Sequence, residues 1–115
     1  MKRFSTLVLL VCFSFSICAQ DQPFRKEIIS FKRADSLGAP PKKSIVFVGS
    51  SSFRMWKDIN QHFPGHTIVN RGFGGSSLPH VIDYADEITI PYKRKQVVIY
   101  CGENDFMSDT VTSEL

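Results

Sequence analysis

Three runs rich in β-branched and aromatic residues punctuate this chain: Ser44-Ile45-Val46-Phe47-Val48, Thr67-Ile68-Val69-Asn70 and Gln96-Val97-Val98-Ile99-Tyr100-Cys101. Each leads into a glycine-bearing loop. The first run is apolar without alternation, the pattern of a strand covered on both faces as parallel sheets require. Between the runs lie segments of helical periodicity. Phe53, Trp56, Ile59 and His62 predict a helix over 50–62 that leaves the first strand directly. Leu78, Val81, Ile82 and Ala85 predict another over 77–87, with these residues facing inward. Ahead of the first run, Phe24, Ile28, Phe31 and Ala34 predict a helix opened near Asp21 or Gln22 before Pro23 and closed at Gly38. Strand, helix, strand, helix, strand is the order of a doubly wound parallel α/β sheet.

The first residues belong to a different kind of segment. Met1-Lys2-Arg3 is basic, the stretch around 7–17 is apolar, and Cys18-Ala19 ends on a small residue suited to cleavage before Gln20. This predicts a signal peptide over 1–19 and an exported protein, periplasmic or secreted; a lipoprotein anchor at Cys18 is disfavoured because Ile17 sits where a small residue should precede it. The apolar run is shorter than the ~18 residues of a membrane span, so no span is expected after cleavage. Cys12 and Cys18 fall in this leader. Of the 3 cysteines only Cys101 remains in the mature chain, at the end of an apolar run, where a buried and unreactive thiol is expected.

The net charge of +3 includes Lys2 and Arg3 of the leader, so the remainder is nearly balanced and no nucleic-acid partner is implied. With 115 residues the chain allows at most one domain. The expected organisation is therefore a leader at 1–19 and part of a single domain at 20–115.

In a parallel α/β sheet ligands bind beyond the carboxyl ends of the strands, and there all three glycine loops should converge. A serine on a tight strand-to-helix turn at Gly49-Ser50-Ser51-Ser52 projects its hydroxyl into that crevice, with free helix amides behind it. The same serines also suit plain helix capping. Gly72-Phe73-Gly74-Gly75 lets backbone approach a ligand and direct an N–H at a carbonyl oxygen, or makes an ordinary turn. Gly72, Gly74 and Ser77 nearly fit a dinucleotide loop, but the last glycine is missing and the loop follows the second strand. Asn104 can donate a side-chain N–H to an oxyanion, and Asp105 beside it can cap a helix or hold a turn.

In order and approximate spacing, Phe47-Val48-Gly49-Ser50-Ser51-Ser52, Asn70-Arg71-Gly72-Phe73-Gly74-Gly75 and Gly102-Glu103-Asn104-Asp105 resemble the first three sequence blocks of the SGNH (GDSL-type) hydrolases. The resemblance implies a three-layer α/β/α flavodoxin-like parallel sheet, of which this chain carries the N-terminal, incomplete part. It implies Ser51 as nucleophile, with Ser50 in the place of the family's Asp, and Gly75 and Asn104 as oxyanion donors completed by the Ser51 N–H. It implies an esterase acting on short acyl or acetyl esters, with a small-molecule or carbohydrate ester as substrate and neither metal nor cofactor.

The family's fourth block, an Asp-x-x-His that supplies the base, has no counterpart in this sequence. His62 and His66 read as surface or turn residues, and His80 is a poor substitute. The chain by itself is therefore expected to be weakly active or inactive. A second reading keeps the crevice without the reaction, as a non-catalytic module that binds a carbohydrate or another polar ligand.

Overall fold

A computed structural model describes residues 22–107, so the expected leader lies outside the described residues. The elements run α1 (Arg25–Leu37), β1 (Ile45–Gly49), α2 (Ser51–Met55), a 3-10 turn (Ile59–His62), β2 (Ile68–Gly72), α3 (Leu78–Ile88), β3 (Gln96–Tyr100) and a second 3-10 turn (Asp105–Met107). The three strands form one sheet in the order β2-β1-β3 with both pairings parallel. Gly49 stands opposite both Gly72 and Tyr100 in register, so all three strands deliver their loops at the same level.

Side-chain alternation along the strands divides the interior. Val46, Val48 and Val69 turn to one face and pack with Ile28 of α1, Phe73, and Val81, Tyr84 and Ile88 of α3. Phe47 and Ile68 turn to the other and pack with Phe53 and Ile59. Each such side chain contributes about 1.5–3 kcal/mol on leaving water, and β1, buried along most of its length, collects this from both sides. β3 does not. Ile99 and Tyr100 are 58% and 52% exposed, because among the described residues nothing pairs along the outer side of this strand.

Two helix expectations need correction. The helix over 50–62 is broken into α2 and the 3-10 turn. Its cause is Asn70 of β2, whose Nδ2 donates to the Phe53 carbonyl at 2.6 Å and to that of Trp56 at 3.4 Å, taking the acceptors that would have continued the helix. Trp56 N–H then closes a tight i+3 bond on Phe53, and the indole turns back against His62 and Phe63.

In α3 the inward face is Val81, Tyr84 and Ile88, while Leu78 and Ile82 are 44% and 65% exposed. The helix is rolled so that Tyr84, the larger side chain, enters the core with its hydroxyl satisfied, donating to the Pro23 carbonyl at 2.5 Å. Ala34, expected on the inward face of α1, is also exposed.

Helix α1 is tied down by charge. Arg25 and Lys32 bind the two carboxylate oxygens of Glu87 on α3 at 2.5 and 2.8 Å. Asp35 holds Arg71 of β2, and it also accepts from the Tyr92 hydroxyl. Arg71 is 8% exposed, with its guanidinium over the rings of Phe31 and Tyr92 at 5.1 and 5.3 Å. Burial, then the hydrogen bond to Asp35, holds the Tyr92 hydroxyl above the ordinary tyrosine range.

Candidate active site

The level register of the strand ends makes three loops neighbours, and hydrogen bonds lace them together. Phe73 N–H of the second loop donates to the Gly49 carbonyl at 2.9 Å. Ser50 N–H of the first donates to the Tyr100 carbonyl of β3 at 3.3 Å. Asn104 Nδ2 of the third donates to the Ser76 carbonyl at 2.9 Å, and Ser76 Oγ donates to the Gly49 carbonyl at 3.4 Å. Fully buried Ser76 is thus the common node. In the sequence Ser76 stands out only as part of the Gly72–Ser77 segment that could hold a polar ligand, with no role of its own.

Gly49 is where the loops come closest. A Cβ there would lie 1.9 Å from the Tyr100 carbonyl oxygen, so only a glycine lets β3 approach the turn. Gly75 serves a different need. Its φ of +85° is a left-handed conformation that other residues resist, and it turns the second loop toward the start of α3.

Ser51 is the first residue of α2 and half-buried. Among the described residues its hydroxyl has no hydrogen-bond partner, and its N–H is one of the first-turn amides that helix bonding leaves over. Ser50 occupies the N-cap position but makes no capping bond. Its hydroxyl donates instead to Glu103 Oε2 at 3.3 Å, and that of Ser52 donates to Glu103 Oε1 at 3.4 Å. Capping therefore does not account for the serine run. Glu103 was visible in the sequence as part of Gly-Glu-Asn-Asp, yet only a contact spanning 53 residues reveals what it holds.

Asn104 spends one of its two amide N–H groups on Ser76, which fixes the side chain and leaves the other available. Asp105 caps α3: its carboxylate oxygens accept from Leu78 N–H at 3.1 and 3.0 Å. The structure so brings Ser51, Gly75 and Asn104 onto three loops joined through Ser76.

None of the histidines is presented to Ser51. His62 Nδ1 accepts from the Trp56 indole at 3.3 Å, His66 is exposed in the turn before β2, and His80 Nδ1 is engaged by Ser77 in the capping box of α3 at 2.8 and 3.1 Å. Cys101 is half-buried beside the core, and its thiol is held above the ordinary range first by burial and then by Asp105 and Glu103. A raised thiol is a poor nucleophile at neutral pH.

No helix among the described residues is long and apolar enough to cross a membrane. No family model matches the chain, and no curated protein matches it. A solved structure from Streptococcus pneumonia, described provisionally as a platelet activating factor, is similar with a TM-score of 0.63 at 21% sequence identity, over 77% of this chain and 41% of that one. This chain therefore spans less than half the length of that structure. At this identity the likeness speaks for the fold, a small α/β protein with a parallel sheet.

Proposed function

We propose that this chain carries the nucleophile and oxyanion donors of an exported SGNH-type ester hydrolase built on a three-layer flavodoxin-like sheet. The observation that carries the reading is the Ser51 hydroxyl at the start of α2, unpartnered among the described residues, on a turn laced to the loops that bear Gly75 and Asn104. In the reaction, Ser51 Oγ attacks the carbonyl carbon of a short acyl ester while a base takes its proton. The oxyanion is received by the N–H groups of Ser51 and Gly75 and by the Asn104 amide. Collapse of the tetrahedral adduct expels the alcohol with a proton, and water then releases the acyl group from Ser51.

The base is the part that residues 1–115 do not supply in family form, so the test provides one. Imidazole added to the 115-residue chain should produce hydrolysis of 4-nitrophenyl acetate above the background from imidazole alone. That increment should vanish in Ser51→Ala and fall by about 100-fold or more in Asn104→Ala, the usual loss for one oxyanion donor. An increment that persists in Ser51→Ala, or its absence from the unsubstituted chain, would refute the reading. Full enzymatic rates without imidazole would refute the missing base.

A further inference from the structure

Glu103 has no part in the chemistry just described, yet it reaches two residues of the first loop at once. Its two carboxylate oxygens each accept one hydroxyl, from Ser50 at 3.3 Å and from Ser52 at 3.4 Å. Between those two residues stands Ser51. Ser50 is 1% exposed and so is anchored inside the protein, whereas Ser52 is on the surface. One carboxylate therefore grips the turn from its buried and its open side, and leaves the middle side chain unheld. Glu103, as a hydrogen-bonding partner and a negative charge, also keeps the Tyr100 phenol above its ordinary range. The first loop has a serine at position 50 where the resemblance expects an aspartate. The acidic group absent there arrives from position 103 on the neighbouring strand end.

We propose that Glu103 is a positioning residue, a clamp that fixes the turn carrying Ser51 by holding the hydroxyls of Ser50 and Ser52 on one carboxylate. The catalytic consequence rests on the reading of Ser51 as nucleophile; the clamp itself does not. Glu103 makes no bond to the Ser51 hydroxyl, so it orients the nucleophile without taking its proton. A turn loosened by even 1 Å loses reactivity steeply, since attack needs the oxygen and the carbonyl in near-contact geometry.

The test compares Glu103→Ala, Glu103→Gln and the double variant Ser50→Ala/Ser52→Ala in the 115-residue chain. Two quantities are read: backbone amide exchange along the chain, and the rate at which a fluorophosphonate labels Ser51 with imidazole present. In Glu103→Ala, exchange at residues 51–54 should rise about tenfold while α1 and β2 stay protected, as expected of local loosening. Ser51 labelling should fall at least as far, and Glu103→Gln, which keeps one acceptor, should lie between. With Ser50 and Ser52 already alanine, Glu103→Ala should add nothing further to either reading.

Unchanged exchange in Glu103→Ala would overturn the clamp. So would a rise spread equally over α1 and β2, or an undiminished effect in the double-serine background. If the unsubstituted chain is never labelled at Ser51 while exchange responds as described, the ester-hydrolase reading fails and the clamp stands.

Discussion

Arg71 and Ser51 belong to adjoining regions of the same sheet end, and their surroundings are opposite. Arg71 sends Nη2 to Asp35, Nε to the Tyr92 hydroxyl at 3.3 Å and Nη1 to the Asn70 carbonyl at 3.3 Å, with an aromatic ring on either side. Its partner Asp35 is further bound by Tyr92. Three of the five guanidinium N–H groups are thus engaged, and both carboxylate oxygens of Asp35 have partners. At the strand-end loops the backbone is also tied, through Ser76 and Gly49, but among the described residues the Ser51 hydroxyl and the second Asn104 N–H have no partners. The cluster joins α1 to β2 and to the segment before β3, whereas the loops hold open donors in fixed places. Polar groups satisfied inside the fold contribute to stability, and those kept free on a rigid frame are available to a ligand.

Substitutions can break this comparison. The largest effect is expected of Gly49→Ala, because the new Cβ would meet the Tyr100 carbonyl at 1.9 Å and force β3 away from the turn. A loss of about 3 kcal/mol or more is expected for such overpacking against backbone, lowering the thermal midpoint by more than about 10 °C in a domain of this size. A shift within experimental error would mean that β3 does not approach the loop this closely.

Arg71→Met should follow at about 2–4 kcal/mol, since it leaves Asp35 without its cation; this is below the usual penalty for a broken buried pair because Asp35 keeps some solvent. Adding Asp35→Asn should recover part of that loss in denaturant unfolding. If the two losses simply add, the cluster is not a coupled unit.

Ser51→Ala sharpens the contrast from the other side. It removes no hydrogen bond among the described residues, so stability should stay within about 0.5 kcal/mol, whatever it does to reactivity. A loss of more than about 1 kcal/mol would show that the hydroxyl has a structural partner after all.

The smallest effect concerns acid. Lys32, then Arg25, hold the Glu87 carboxyl below the usual carboxylate range. A depressed folded value stabilises above the unfolded pKa and is lost as the pH falls through the folded one. Unfolding followed between about pH 5 and pH 2 should therefore show an acid-dependent loss that Glu87→Gln reduces. Identical acid profiles for the two proteins would remove this pair from the account of how α1 is held.

Much of the frame was legible because it depends on local pattern. The strands lie within a residue or two of the apolar runs, and α1 ends at Gly38 as predicted. What escaped depends on contacts between distant parts of the chain. β2 continues through Arg71, a residue that reads as loop until Asp35, 36 positions away, buries it. The expected long second helix stops because Asn70, 17 positions on, takes the Phe53 carbonyl. Phe24 enters α1 in a left-handed conformation, with its ring packed against Phe73 and His80. At the candidate site the three named residues come from the resemblance of the three loops, taken in order, to a known family, since each loop alone also suits a cap or a turn, whereas Ser76 and Glu103 act through partners on other loops. No spacing rule within one loop reveals those partners.

The central claim is that Ser51, and not its neighbours, is the reactive serine of an oxyanion-equipped site. It is tested most directly by locating the adduct formed when a fluorophosphonate reacts with the folded 115-residue chain in imidazole. Peptide mass spectrometry should find the phosphonyl group on Ser51, rising with imidazole concentration and lost on denaturation. An adduct spread evenly over Ser50, Ser51 and Ser52, or no more abundant than in the denatured chain, would contradict it.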